Sequence, residues 1–105
     1  MQGVDAVFAA LADPTRRGLL ERLSRGDAVT ASGLAATLPI SRQAVSKHLA
    51  ALNAANLVRA DRVGRETRYE LRTEPLDDAA RWIEAVGAEW DERLAALRSS
   101  VEKRQ

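Results

Sequence analysis

Hydrophobic residues at the start of the chain recur at the spacing of one helix face. Val4, Val7, Phe8 and Leu11 stand at positions i, i+3, i+4 and i+7, which predicts a short amphipathic helix over 3–12. A second helix is predicted after the first. The side chains that we expect on its buried face are Leu19, Leu20 and Leu23.

Capping residues and prolines mark where the next helices begin and end. Asp13 followed by Pro14 predicts the start of the second helix, because Asp caps an N-terminus and Pro fits the first helical position. Gly26 predicts its end. Thr30 is expected to cap a short third helix that stops at Pro39. The apolar residues of that third helix are Leu34 and Leu38.

Ser41 predicts the cap of a fourth helix that runs to about Ala55. It follows the third helix after about three residues, and its outer side is polar. Two short helices joined in this way are typical of a helix-turn-helix, here over 30–55. The inward face of the fourth helix should consist of Val45, Leu49 and Leu52.

The polar side chains of the fourth helix are distributed around its outer face. With 100° per residue, Gln43 and Lys47 point away from the buried stripe. Arg42 and Ser46 lie on one flank, and His48 lies at the edge of the buried side. A helix-turn-helix commonly places its second helix in the major groove of DNA. In that position we expect Arg42 and Lys47 to contact phosphates, or guanine if the helix lies deep in the groove, and Gln43 to contact adenine or phosphates.

Over 57–72 the hydrophobic period changes from that of a helix to that of a strand, and Gly64-Arg65 is typical of a two-residue hairpin loop. One register then gives an apolar face and a face with opposite charges opposed. The pairs it predicts are Val58 with Leu71, Ala60 with Tyr69, Arg59 with Glu70, and Asp61 with Arg68. Three arginines have no directly opposed acid: Arg62, Arg65 and Arg72. Those near the tip of the hairpin are the better phosphate candidates.

Pro75 opens a last helix, predicted over 75–101, whose apolar stripe is wider and longer than so small a domain can cover. We therefore expect a homodimer that forms through this helix and the one over 3–12. The predicted interface residues are Val4, Phe8, Trp82, Ile83, Val86, Trp90, Leu94 and Leu97. The element order is four helices, two strands and a helix: a mainly α fold with a small β-hairpin wing, or winged helix-turn-helix.

Composition restricts the function classes. The 105 residues suit one domain over 1–105, and a chain without cysteine has no disulfide, thiolate nucleophile or Cys-ligated zinc. His48 is the only histidine, and we find no nucleophile–base pair or glycine-rich phosphate loop, so we expect no enzyme, no metal and no cofactor. The sequence has no run long and apolar enough for a membrane span and no secretory signal, so a cytoplasmic location is expected.

The net charge of +1 hides an uneven distribution. Residues 41–72 carry seven basic and three acidic side chains, whereas residues 73–105 carry five basic and eight acidic ones. The middle of the chain therefore has a positive field that suits a polyanion. This charge and the polar outer face of the fourth helix favour DNA binding over the alternative, a winged helix used only for protein contacts.

Four segments together resemble the bacterial ArsR/SmtB family of winged-helix repressors. They are ALADPTRR at 10–17, SRQAVSKHL at 41–49, LNAANLV at 52–58 and GRETRYEL at 64–71. With the helices between them they span nearly the whole chain. One departure is Asn56, where the family usually has glycine, and Asn tolerates the left-handed conformation needed after a helix.

The resemblance implies a homodimer that binds an operator near its own promoter and blocks transcription. By motif position, Gln43, Ser46 and His48 correspond to DNA-contacting positions of the recognition helix, and the wing positions are Arg62, Arg65 and Arg68. The residues that we expect at DNA are thus Arg42, Gln43, Ser46, Lys47, His48, Arg62, Arg65 and Arg68.

The same resemblance leaves the mode of regulation open. Metal sensors of the family use Cys/His pairs on the third helix or Asp/His/Glu sets on the last helix, and this chain has neither. Its Trp-rich last helix resembles a branch that does not sense metals. Three alternatives remain: whether a small molecule or ion releases the repressor, whether Arg16 is structural or contacts phosphate, and whether His48 contacts DNA or only packs.

Overall fold

Five helices and a three-stranded antiparallel sheet make up the part of the chain that the computed structural model describes, residues 2–26 and 29–103. The mainly helical architecture with a hairpin wing is confirmed. The elements are α1 (Gln2–Leu11), α2 (Pro14–Leu23), β1 (Val29–Thr30), α3 (Ala31–Ala35), α4 (Arg42–Ala54), β2 (Val58–Val63), β3 (Glu66–Leu71) and α5 (Glu74–Lys103).

The predicted caps are confirmed. The Asp13 carboxylate accepts hydrogen bonds from the backbone N–H of Thr15 and Arg16 at the start of α2. Thr30 Oγ1 accepts from the N–H of Gly33 at 3.0 Å, and Ser41 Oγ accepts from that of Ala44 at 3.1 Å. Each side chain satisfies a donor that the first turn of a helix leaves free, so polar residues outside the core decide where α2, α3 and α4 begin.

Asn56 ends α4 in the left-handed conformation that its place in the sequence predicts, with φ of 60°. Its N–H donates to Asn53 O at 3.0 Å, and the N–H of Leu57 donates to Leu52 O at 2.9 Å. These two bonds form a Schellman motif, which satisfies the last carbonyls of the helix. The chain thereby turns directly from α4 into β2.

The predicted ends of α2 and α3 and both predicted boundaries of α5 differ from the structure. α2 ends at Leu23 rather than at Gly26, and Ser24 follows it with a hydroxyl that donates to Glu21 O at 2.6 Å. α3 ends at Ala35, so Leu38 lies in the turn before α4. α5 begins one residue before Pro75 and continues to Lys103.

The hairpin register is confirmed in full: Val58 pairs with Leu71, Ala60 with Tyr69, Arg59 with Glu70, and Asp61 with Arg68. The opposed charges do not form the ion pairs that this register predicts. Instead Arg59 Nε lies 3.1 Å from Asp61 Oδ2, and Arg68 lies 3.6 Å from Glu66, so both pairs run along a strand. An exposed arginine can reach an acid two residues along its own strand as easily as an acid on the paired strand.

Strand β1 is an element that the sequence analysis missed. Val29 pairs with Tyr69 and Thr30 with Arg68, which makes β3 the central strand of the order β1-β3-β2. Two residues are too few for an alternating pattern to be recognised. Because Thr30 also caps α3, β1 attaches the wing directly to the start of the helix-turn-helix.

The core is built around α4. Val45, Leu49 and Leu52 are each completely buried, as predicted. Within the described residues every buried side chain is hydrophobic, and no buried polar side-chain atom lacks a partner. The core residues that pack with α4 from the other elements are Val7, Ala10, Leu19, Leu20, Leu23, Ala31, Leu34, Ala55, Leu57, Val58 and Ala79.

Helix α5 lies largely outside this core. Its N-terminal part packs on α1, where the rings of Phe8 and Trp82 meet edge to face with centroids 5.4 Å apart. Over residues 74–102 of the helix, Ala79 alone is buried. At about 1.5 Å per residue, its 30 residues extend for about 45 Å, and the longest dimension of the molecule is 71 Å.

Candidate nucleic-acid interface

Helix α4 presents a polar face to solvent because its opposite face is locked in the core. Arg42, Gln43 and Lys47 are exposed, while Ser46 and His48 are half-buried on the two sides of that face. This is the distribution that the sequence predicts. The exposed face of the helix is therefore free of core contacts, and these five side chains lie in its first two turns.

The wing places a second set of basic groups beside α4. Arg62 lies on the face of the hairpin that also carries Thr67 and Tyr69, since residues that pair across the ladder point to the same side. Gly64 has φ of 65°, so the tight turn that exposes Arg65 needs a residue free of a side chain. The Arg62 Nε donates to Gly64 O at 3.4 Å, which holds this arginine along the turn.

A cleft of about 410 Å³ lies between α3, the start of α4 and the wing. Three arginines line it: Arg42 from α4, and Arg62 and Arg65 from the wing. Within the described part of the chain, none of these three forms an ion pair. The remaining lining residues are Thr30, Ala31, Ser32, Ser46, Glu66, Thr67 and Tyr69.

Two hydroxyl residues of this cleft, Ser32 and Thr67, were not among the predicted DNA contacts, whereas Ser46 was. Ser32 and Thr67 reach it because β1 brings α3 against β3, and a two-residue strand gave no signal of that contact. The arginine and hydroxyl side chains of this cleft suit a phosphate oxygen because they donate hydrogen bonds, and the Glu66 carboxylate that also lines it is paired with Arg68.

Arg68 and Arg72 lie apart from this cleft. Arg68 points to the outer face of the sheet, where Glu66 is its ion-pair partner. Arg72 lies at the far end of the hairpin, with its Nε 3.9 Å from Glu74 Oε2. The structure therefore brings Arg42, Ser46, Arg62 and Arg65 together and leaves these two arginines elsewhere.

Arg16 contacts the recognition helix rather than solvent alone. Its Nε donates to Nδ1 of His48 at 3.4 Å, and both residues are half-buried. The neighbouring Arg17 is exposed and donates to Leu11 O at 2.6 Å. Another arginine of α2, Arg22, donates to Thr37 Oγ1 at 2.7 Å and so ties α2 to the turn of the helix-turn-helix.

A second surface is apolar and lies on α5. The exposed side chains include Trp90 at 58% and Leu97 at 62% of their full accessibility. Exposed apolar residues in so continuous a stripe mark an interaction surface. The interface residues predicted on α1, Val4 and Phe8, are half-buried beside it. The exposed members of the stripe are Trp82, Ile83, Val86, Trp90, Leu94, Leu97 and Val101.

Residues 2–26 and 29–103 contain neither a cluster of metal-ligating side chains nor a membrane-spanning helix. No three His, Asp or Glu side chains there are grouped so that they could hold a metal ion. None of the helices in this part of the chain is long and apolar enough to cross a membrane.

Proteins of similar sequence and structure show which family the chain belongs to. The sequence profile of a family described as a helix-turn-helix domain matches residues 11–60. The transcriptional repressor SdpR of Bacillus subtilis (strain 168) is 39% identical over 77 residues, which are 73% of this chain and 84% of SdpR. The solved structure of an ArsR-like transcriptional regulator from Rhodococcus sp. RHA1 is 49% identical, covers 93% of this chain and 92% of its own, and superposes with a TM-score of 0.82.

The chain belongs to the ArsR family of winged helix-turn-helix transcriptional regulators. Membership of this family makes it a DNA-binding transcriptional regulator, as the sequence resemblance implies. A further ArsR-type neighbour is the homodimeric winged helix-turn-helix DNA-binding domain Mb0332 from Mycobacterium bovis. It is 29% identical, covers 89% of this chain and 82% of its own, and has a TM-score of 0.64.

The cap that begins α2 gives this ArsR-type fold a pH-dependent contact. The backbone hydrogen bond from Arg16, together with the one from Thr15 and the positive field of His48 and Arg16, outweighs desolvation and lowers the pKa of Asp13. A carboxyl with a lowered folded-state pKa stabilises the fold above its unfolded pKa, and this contribution disappears as the pH falls through the folded value.

We predict that Asp13→Asn lowers the melting temperature at pH 7 and that this difference shrinks as the pH falls below about 4, the ordinary pKa of Asp. Asn retains the capping oxygen and removes only the charge. The measurement is thermal unfolding by circular dichroism from pH 7 to pH 2.5. Asp5→Asn, on the exposed side of α1, is the control. A deficit of constant size across this range would contradict the assignment.

Proposed function

We propose that the protein is a homodimeric repressor that occludes a promoter, its own included, by binding an operator with inverted-repeat symmetry. The observation that carries this proposal is that Arg42, Arg62 and Arg65 line one cleft beside the exposed face of α4. A recognition helix in the major groove and a wing at the adjacent backbone would use these groups together. We place this activity in the cytoplasm, with DNA as the partner and no catalytic step.

In the proposed complex the eight polar residues divide their tasks. Gln43 and His48 face base edges, and Ser46 allows close approach of the helix because it is small. Lys47, Arg42 and the wing arginines Arg62 and Arg65 meet phosphates. Arg68 retains a supporting place on the outer face of the wing, where its ion pair with Glu66 reduces its free charge.

The dimer is supported by the exposed stripe of α5. A stripe that the chain's own core leaves uncovered is protected from water when a second copy packs against it, and a twofold axis pairs it with itself. Phe8 packs on Trp82 and so joins α1 to this surface. Two recognition helices related by that axis would read half-sites about one helical turn apart.

The recognition helix is tested at Gln43. Gln43→Ala should weaken binding to the operator by about 1–3 kcal/mol and relax its base preference, because a bidentate amide contact to a base is lost. The assay is fluorescence anisotropy with a duplex that the wild-type protein selects from random DNA. Asn53→Ala removes an exposed amide at the far end of α4 and should change affinity less than twofold. Unaltered base preference in Gln43→Ala would exclude this helix as the reader.

The wing is tested at Arg65. Arg65→Ala should weaken binding to selected and scrambled duplexes alike and reduce the slope of log K against log salt by about 0.9, because one phosphate contact is lost. Arg81→Ala removes the same charge from the outer surface of α5, where Asp78 is its partner, and should leave the slope unchanged. Equal slopes for the two variants would remove the wing from the DNA contact.

The dimer is tested at Trp90. Trp90→Asp should yield monomers by light scattering, since a carboxylate in an apolar interface is not solvated. The monomers should bind a two-half-site operator far more weakly than wild type does. Ala88→Asp introduces the same charge on the opposite side of α5 and should remain dimeric. A dimeric Trp90→Asp would refute the proposed interface.

A further inference from the structure

The contact between Arg16 and His48 joins the helix before the helix-turn-helix to the recognition helix. Arg16 lies in the first turn of α2, where the Asp13 cap holds its backbone N–H at 3.2 Å. From there its side chain reaches 32 positions along the chain to Nδ1 of His48, at 3.4 Å. We propose that Arg16 is a positioning residue that fixes the imidazole of His48 and thereby sets part of the base preference of α4. This inference rests on the proposed DNA-binding function.

The chemistry of the contact determines where the imidazole carries its proton. A guanidinium nitrogen donates hydrogen bonds and cannot accept one, so Nδ1 of His48 must be the acceptor. The neutral ring then carries its hydrogen on Nε2. Arg16 thus fixes both the rotation of the ring and its tautomer, and the ring offers DNA a donor and no acceptor.

A donor at this place restricts what His48 can read. In the major groove it matches N7 and O6 of guanine, N7 of adenine or O4 of thymine, and it opposes the amino groups of adenine and cytosine, which are donors themselves. Without Arg16 the imidazole can rotate and take the other tautomer, in which Nε2 accepts. The preference contributed by His48 would then be lost, although the ring would still be present.

The adjacent Arg17 provides a matched control. Both residues are arginines in the first turns of α2, but Arg17 donates to Leu11 O and, among the described residues, has no side-chain hydrogen bond or ion pair with α4. Replacing either by Met removes one charge and keeps an unbranched stem. Any difference between the two variants therefore reports the contact with His48 and not the loss of charge.

The DNA experiment uses a duplex enriched by the wild-type protein from random sequences, and a scrambled duplex. We expect Arg16→Met to reduce the ratio of the two affinities by about five- to thirtyfold, as for loss of one base contact, and Arg17→Met to leave it within twofold. Both variants should show the same salt slope. In a His48→Ala background, Arg16→Met should change the ratio less than twofold.

Other results would overturn the inference separately from the function. A salt slope lower by about 0.9 in Arg16→Met than in Arg17→Met, with both duplexes weakened alike, would make Arg16 a phosphate contact. An undiminished effect of Arg16→Met in the His48→Ala background would show that it does not act through the histidine. Failure of the wild type to enrich any sequence would contradict the proposed function itself.

A spectroscopic measurement tests the contact without DNA, first in the wild-type protein and then in a variant. Since His48 is the only histidine, its two ring nitrogens give unambiguous signals in long-range ¹H–¹⁵N correlation spectra of the labelled wild-type protein. We expect the neutral form of the ring to carry its hydrogen on Nε2 alone, with Nδ1 as a hydrogen-bond acceptor. In Arg16→Met the ring should show the mixture of tautomers that a free imidazole has. A mixture already present in the wild type would refute the fixed ring.

Discussion

The burial of Val45, Leu49 and Leu52 fixes the rotation of α4, and the candidate DNA interface depends on that rotation. All three side chains are completely inaccessible to solvent. Truncating a fully buried leucine typically costs about 2–5 kcal/mol. Rotating the helix by one residue position would therefore cost more free energy of folding than new surface contacts could recover. The polar face with Arg42, Gln43 and Lys47 is thus held outward by the core and needs no contacts of its own.

The wing is positioned by backbone hydrogen bonds, which are less sensitive to side-chain chemistry. β3 pairs on one side with β2 and on the other with β1, and Thr30 at the end of β1 also caps α3. A movement of the wing would therefore strain the start of the helix-turn-helix. This coupling explains why Arg62 and Arg65, far from α4 in sequence, share a cleft with Arg42.

Features governed by local rules could be predicted from the sequence, and features governed by the choice of a partner could not. Alternation and a two-residue loop admit one hairpin register, and the pairing of Val58 with Leu71 follows from it. In contrast, Arg59 can reach Asp61 along the strand or Glu70 across it, and exposed ion pairs differ by less than about 1 kcal/mol. The contact of Arg16 with His48 joins residues 32 positions apart and requires the packing of α2 on α4 to be known.

In the proposed dimer the apolar stripe of α5 and the exposed polar face of α4 are mechanically linked. The stripe of α5 would set the angle between two protomers, while the contact of Phe8 with Trp82 fixes α5 to α1 and hence to the core that holds α4. A rigid path of this kind converts a small rotation at the dimer interface into a change in the separation of two recognition helices. DNA fixes that separation at one helical turn, so a ligand that altered the packing of the stripe would weaken operator binding without touching a DNA-contacting residue.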